Sequence, residues 1–271
     1  MSDARLCLVG AGNMGGAMLG GWLESGYDPA LISVLDPSPP PHISSLLSKF
    51  EVAQFADADD VQRPDLIIVA VKPQIMGLVL PNIASLVDGY NALLSVAAGT
   101  TIANLTAPFT DVSPRIIRAM PNTPSQVGRG VTVCVANELV SEAQKSSVTD
   151  LLLAVGQVEW VEDEGLIDAV TGVSGSGPAY VFHLAEALAV AGEKAGLSPE
   201  LAASLAQATV SGAGELMRQS ELSPSQLREN VTSPNGTTAA ALDVLMADDG
   251  FPGLLEKAVA AATKRSRELA G

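Results

Sequence analysis

One stretch near the amino terminus, RLCLVGAGNMG from Arg5 to Gly15, constrains the fold more than any other. Leu6, Cys7, Leu8 and Val9 form an unbroken apolar run, which suits a strand buried on both faces of a parallel sheet. Gly10, Gly12 and Gly15 follow in G-x-G-x-x-G spacing. In such a turn the first glycine bends the chain sharply, the second lets backbone approach a pyrophosphate, and the third lets the next helix sit close to the strand. The N–H groups and positive dipole end of that helix then face the phosphates. The spacing alone is weak, but here a helical run from Met14 to Ser25 follows it. A second strand, Ile32 to Asp36, then ends in a carboxylate placed to accept from ribose hydroxyls. The stretch reads as a dinucleotide-binding turn. Asp36 disfavours a 2′-phosphate, Ser38 can donate to either form of the ribose, and no arginine or lysine follows closely, so NADH should be accepted at least as well as NADPH.

With 271 residues, 47% hydrophobic and only 17% charged, the chain can bury a full core and is not of disordered type. A formal charge of -15 argues against a nucleic-acid footprint and against attraction to an anionic membrane. The opening MSDARLCLVG lacks the basic start and long apolar core of a signal peptide. Later apolar stretches are broken by charge, proline or glycine clusters, so the expectation is a cytoplasmic protein with no membrane partner. Cys7 and Cys134 each fall in an expected buried strand and read as small core residues rather than a disulfide or reactive thiols. Two histidines with no clustered ligand spacing indicate no metal site.

Further strands are expected at Leu66 to Val71, Leu93 to Gly99, Arg115 to Ala119, Val131 to Val135 and Val155 to Val161, with a helix at Ser141 to Ala154. Strand ends in such sheets face the cofactor crevice, so Lys72 is either a solvated lysine after a strand or a contact near the cofactor. Met120 to Pro124 turns over the same edge. From about Glu164 the alternation gives way to long helical stretches with glycine and proline breaks. The expected organisation is therefore a dinucleotide-binding domain over 1–163 and a helical domain over 164–271. Ser174 to Pro178 reads as a loop before a helix from Ala179 to Ala195 that is apolar nearly all round, as a subunit interface would require. His183 within it reads as a hydrogen-bonded core or interface residue. Helices follow at Pro199 to Gln219, up to Arg228, from Ala239, and from Leu254 to Leu269, the last with Lys264, Arg265 and Arg267 where cations favour a helix C-terminus. Between the second and third of these, Ser233 to Thr238 gathers hydroxyls, a glycine and backbone N–H groups at a helix start. Such a place either holds an anion such as a carboxylate or is simply a helix cap rich in threonine.

Six motifs give the chain a resemblance to the pyrroline-5-carboxylate reductase family. They are GAGNMG (Gly10 to Gly15), AVKP (Ala70 to Pro73), VAAG (Val96 to Gly99), MPNTP (Met120 to Pro124), LIDAVTGVSGSGPAYVF (Leu166 to Phe182) and ENVTSPNGTTAAAL (Glu229 to Leu242). Together they cover essentially the whole chain, and the last two are far more specific than the glycine turn. The resemblance implies an α/β architecture, a Rossmann-type dinucleotide-binding domain followed by an all-α dimerisation domain. It also implies NADPH- or NADH-dependent reduction of 1-pyrroline-5-carboxylate to L-proline, the last step of proline biosynthesis, by homodimers commonly assembled into decamers.

Carried over residue by residue, the family's cofactor contacts fall on Gly10, Ala11, Gly12, Asn13, Met14, Ser38, Ala70, Val71, Lys72, Pro73, Val96, Ala97, Ala98 and Asn230. Its substrate contacts fall on Glu164, Thr237 and Thr238. Gly15 and Asp36 join the cofactor set from the reading of the turn itself, and Ser233 and Gly236 join the substrate set as parts of the anion-binding helix start. Thr238 is the candidate catalytic residue, orienting the ring nitrogen as it becomes an amine. Asn235 departs from a frequent family glycine, although asparagine tolerates a left-handed backbone. Asp36 stands where many members lack a carboxylate. Two other functions compete with this one. A 3-hydroxy-acid dehydrogenase shares the opening but needs a lysine near its substrate, and neither SGSGP nor SPNGTT carries one. A non-catalytic nucleotide-sensing protein would bind cofactor without turnover.

Overall fold

The computed structural model describes residues 4–270. Its contacts divide the chain into two units, one of residues 1–175 with 262–271 and one of residues 176–261.

In the first unit β1 (Leu6–Val9) is buried along its length and passes through the glycine turn into α1 (Asn13–Glu24). The chain continues through β2 (Ile32–Leu35), α2 (Pro41–Phe50), β3 (Ala53–Phe55) and β4 (Leu66–Val69). Next come α3 (Met76–Asn82), β5 (Ala92–Ser95), α4 (Ile102–Thr106) and β6 (Arg115–Met120). The unit ends with β7 (Gly130–Ala136), α5 (Glu142–Leu153), β8 (Gly156–Trp160) and α6 (Ile167–Val170). Eight strands form one sheet in the order β3-β2-β1-β4-β5-β6-β7-β8. The first six are parallel, while β7 pairs antiparallel with β6 and parallel with β8.

Strand order reverses between β1 and β4, and at such a switch point a crevice opens beyond the carboxyl ends of the strands. Both faces of the sheet are covered. One apolar cluster joins Leu8, Leu19, Trp22 and Ile68, and another joins Val9, Ile67, Leu80 and Ile116. This two-sided burial explains the unbroken apolar strands.

Cys7 in β1 and Cys134 in β7 are fully buried in this sheet, and burial pushes each thiol up to about 12. Both are core residues. Ser141 and Gln144 form a reciprocal capping box at the start of α5.

The second unit holds α7 (Gly177–Lys194), α8 (Pro199–Gln219), α9 (Pro224–Asn230), α10 (Thr237–Leu245) and the first half of α11 (Phe251–Ala270). One sequence expectation is corrected here and another narrowed. The Ser174 to Pro178 stretch is not a loop. Thr171–Gly175 is a π-helical turn, and α7 starts at Gly177 with Pro178 in its first turn, where the missing proline N–H costs nothing. Of the two places expected for His183, core or interface, the core is excluded, because its side chain is exposed in the single chain; it is hydrogen-bonded, with its Nδ1 3.0 Å from Glu186 Oε2 one helical turn on.

Helix α7 packs on α8 through small residues. A side chain at Gly192 would come within 3.2 Å of the Ala202 Cβ, and Ala202 and Ala206 are the buried residues of α8. No residue of α7 is buried within the chain, and Val181, Phe182, Leu188 and Val190 are exposed. A helix this apolar is left uncovered by its own chain.

Candidate active site

The first unit brings its predicted cofactor residues together at the carboxyl edge of β1, β2, β4 and β5. Gly10 has φ +87°, and its N–H donates to the Leu35 carbonyl at 3.1 Å. A Cβ there would sit 2.6 Å from Val71 Cγ1, and one at Gly15 would collide with the Gly10 carbonyl oxygen. Both glycines therefore serve the close approach of α1 to β1 and β4. Gly12 differs, because a Cβ there would point into open space. Gly12 is also the N-cap of α1 and supplies no side-chain cap, so the helix start is free to be capped by an anion.

The Asp36 carboxylate meets this turn directly. Its Oδ2 accepts from the Ala11 amide at 2.8 Å and its Oδ1 from the Ser38 amide at 2.9 Å. Asn13 is exposed and Met14 half-buried beside them.

Ala70 is tied to β1 by its N–H donating to the Val9 carbonyl at 2.8 Å, and the Val96 N–H donates to the Val69 carbonyl at 3.1 Å. Ala97 is buried, whereas Ala98, Lys72 and Pro73 are exposed at the rim. Beyond this edge lies a cleft of about 670 Å³ lined by Gly10, Asp36, Asp57, Asp59, Val71 and Ile75, among others. An uncapped helix start, an open Gly12 and a carboxylate at the end of β2 fit a dinucleotide.

The predicted substrate residues of the second unit form a turn between α9 and α10. Asn230 ends α9, and the Thr232 hydroxyl donates to the Arg228 carbonyl at 2.6 Å. The Gly236 N–H donates to the Ser233 carbonyl at 3.0 Å, which closes Ser233-Pro234-Asn235-Gly236 as a turn. Asn235 takes φ +57°, so it does what the frequent family glycine would do. Gly236 is then the N-cap of α10, again without a side-chain cap, and Thr237 and Thr238 occupy the first turn. Ser233 and Thr237 are exposed and Thr238 is half-buried. Main-chain N–H groups and hydroxyls are thus presented at one helix start.

Glu164 has an internal role. Its Oε1 accepts from Arg118 Nη1 at 2.8 Å and from the Ile102 amide at 2.8 Å. Sequence reasoning passed over Arg118, although a second arginine within the apolar strand RIIRAM marks a buried charge that needs a partner. It also passed over Asp57 and Asp59, whose place in the cleft follows from the pairing of β2 with β3.

Comparison with known proteins places these features in a family. Residues 164–269 match the family model described as pyrroline-5-carboxylate reductase dimerisation, and residues 5–99 match one described as NADP oxidoreductase coenzyme F420-dependent. The pyrroline-5-carboxylate reductase of Pseudomonas aeruginosa is 41% identical over 271 residues, covering 100% of this chain and 98% of the relative. Among solved structures, a pyrroline-5-carboxylate reductase from Coxiella burnetii superposes with a TM-score of 0.92 at 36% identity, covering 100% of both chains. The pyrroline carboxylate reductase of Plasmodium falciparum, solved with NADP bound, superposes with a TM-score of 0.82 at 31% identity, again over 100% of both chains. With glycine turn, helical unit and left-handed SPNG turn all falling within that end-to-end match, the chain belongs to the pyrroline-5-carboxylate reductase family.

Proposed function

We propose that this chain reduces 1-pyrroline-5-carboxylate to L-proline as an NAD(P)H-dependent oxidoreductase acting on the C=N bond, the last step of proline biosynthesis. What supports the reading is that the match to the Pseudomonas aeruginosa enzyme runs through both the glycine turn and the TSPNGTT segment of one chain.

The substrate is a cyclic imine. Protonation of its nitrogen makes the adjacent carbon a strong hydride acceptor, and the nicotinamide supplies the hydride when bound. The chain's own residues have three tasks. The turn of Gly10, Ala11, Gly12, Asn13 and Met14 receives the pyrophosphate, Gly15 letting α1 sit close behind it, with Asp36 and Ser38 at the ribose. Ala70, Val71, Lys72, Pro73, Val96, Ala97, Ala98 and Asn230 complete the cofactor contacts. The amides and hydroxyls from Ser233 through Gly236 to Thr237 receive the substrate carboxylate, at the positive end of α10. Thr238 hydrogen-bonds the ring nitrogen. A threonine hydroxyl is a weak acid, so its task is orientation and relay of a proton from water. Glu164 enters on the substrate side through Oε2, Oε1 being held by Arg118 and the Ile102 amide. Hydride transfer requires the imine carbon about 3 to 3.5 Å from the donor, and these residues supply that positioning.

The same reading takes residues 1–163 as the dinucleotide-binding domain and 164–271 as the helical dimerisation and substrate-binding domain. The dimerisation match begins at Glu164. The exposed apolar face of α7 supports a homodimer, and decamers built from such dimers are the proposed assembly. The proposed location is the cytoplasm; among the described residues no helix is long and apolar enough to cross a membrane.

The test follows loss of nicotinamide absorbance with 1-pyrroline-5-carboxylate and, separately, with a 3-hydroxy acid. Turnover of the first alone is expected. Turnover of the second alone, or cofactor binding with no turnover of the first, overturns the assignment.

A further inference from the structure

β6 carries a charge where the sheet is otherwise apolar. Ile116, Ile117 and Ala119 are buried in it, and so is Arg118. Arg118 stands in register with Ser95, the last residue of β5, and is therefore rooted beside the Val96 to Ala98 strand end. Its guanidinium donates to Glu164 Oε1 at 2.8 Å. The same oxygen accepts from the Ile102 amide at 2.8 Å, where α4 opens directly after the Val96 to Thr101 segment.

The fold alone gives no reason for this arrangement. Desolvating two charges consumes most of the attraction between them, and apolar residues of the same volume commonly serve a core as well or better. What the pair fixes is the place of one carboxylate. The Glu164 side chain is 31% exposed, and a glutamate reaching that far out of a sheet, held at neither oxygen, exchanges among rotamers. Here Oε1 is pinned from two sides, by β6 and by α4. Among the described residues no hydrogen-bond donor reaches Oε2. A carboxylate oxygen in that state is a fixed and available acceptor. The protonated imine that takes the hydride is a cation, and an acceptor already in place beside it needs no reorganisation during the reaction.

Resting on the assignment of Glu164 to the substrate, we propose that Arg118 is a positioning residue of the reaction, which holds Glu164 Oε1 so that Oε2 is presented to the substrate. Arg118 itself touches neither substrate nor cofactor. Its planar guanidinium directs its N–H groups along fixed lines, whereas a lysine ammonium is a mobile point charge, so a lysine replaces it only in part.

The test is a kinetic double-mutant cycle on the full chain with 1-pyrroline-5-carboxylate, run where urea titration shows every variant folded. Arg118→Met is expected to lower kcat/KM about 10-fold or more and to leave nucleotide affinity within about 2-fold. Its loss should divide between kcat and KM as the loss in Glu164→Gln does. Arg118→Lys should lose less, about 3-fold. In a Glu164→Gln background, Arg118→Met should cost no more than about 2-fold further, because the residue it acts through is already altered. If Arg118→Met does not fold, Arg118→Lys carries the same cycle. Native kcat/KM in the folded Arg118 variant, an equal loss of nucleotide affinity, or a full multiplicative loss in the Glu164→Gln background overturns the proposal. Native kcat/KM in Glu164→Gln overturns the assignment of Glu164 to the substrate instead.

Discussion

Arg118, with 5% of its side chain exposed, donates to Glu164 Oε1 at 2.8 Å, and the same oxygen receives the Ile102 amide that opens α4. One carboxylate thus neutralises a charge inside the sheet and joins β6 to α4. Glu164→Ala leaves the guanidinium buried without a counter-ion. A loss of about 3 kcal/mol of unfolding free energy is expected, read as a fall in urea midpoint. Glu164→Gln keeps an acceptor and should lose about half as much. A Glu164→Ala protein of native stability would show that water or another group satisfies Arg118.

The glycines of the turn should separate by function. Gly15→Ala drives a methyl into the Gly10 carbonyl and is expected to cost about 1 to 3 kcal/mol in stability. Gly12→Ala meets open space at φ −73°, which alanine adopts readily, so stability should stay within about 0.5 kcal/mol. The same methyl stands where a pyrophosphate would approach, so nucleotide affinity should fall about tenfold or more. Thermal unfolding beside nucleotide titration reads both. A Gly12→Ala protein with native affinity would take the pyrophosphate away from this turn.

Thr238→Ala is expected to lose roughly 1.5 to 3 kcal/mol of transition-state stabilisation, about 10- to 150-fold in kcat/KM, if the hydroxyl bonds a charged ring nitrogen. Thr237→Ala should act mainly on KM, as a carboxylate contact would. Unchanged kcat/KM in a folded Thr238→Ala protein removes Thr238 from the mechanism.

Alkaline pH should destabilise the fold through Cys7 and Cys134. Both thiols are raised in the native state from 9.0 to about 12 by burial. Below pH 9.0 both states hold the proton and nothing changes. Between 9.0 and about 12 the unfolded chain releases protons that the native chain keeps, so stability falls as pH rises. Urea titrations at neutral and alkaline pH should show this fall, and the Cys7→Ala, Cys134→Ala double variant should flatten it. Neither thiol should react with a thiol reagent until the chain unfolds.

The parts of this molecule written in local pattern were legible in the sequence. β1 was expected to begin at Leu6 and does, and α8 was expected over Pro199 to Gln219 and forms there. Asn235 was expected to tolerate a left-handed backbone and adopts one.

What sequence reasoning missed depends on partners far along the chain. The antiparallel turn of β7 against β6 depends on the MPNTP segment. There Asn122 accepts from the Val131 amide at 2.9 Å and donates to the Ser174 carbonyl at 3.2 Å, a link across 52 residues. That link joins the Ser174 stretch, taken for a loop, to the sheet. Asp57 and Asp59 look like solvated surface charge until β3 pairs with β2 and carries them to the cleft. Arg265 and Arg267 were read as cations favouring a helix end. Arg267 does lie in the last turn of α11; what the sequence did not show is the pairing, Arg265 with Glu268 and Arg267 at 3.8 Å from Asp168.

The last turns of α11 count among the residues of the first unit. The Ser266 hydroxyl donates to Asp168 at 2.6 Å, and Leu269 lies against Gly99, next to the Val96 to Ala98 strand end. The helical unit is therefore an insertion in the chain order of the sheet unit rather than an appendix to it. On the ribosome the sheet unit is the first to emerge and the last to be completed. Its β5 edge waits for a segment made about 170 residues later, which is a long loop to close before the reward arrives. A nascent chain that has made only its strands still leaves Gly99 without its Leu269 neighbour. Coupling between synthesis of the helical insertion and completion of the sheet unit is thus written into the order of the chain.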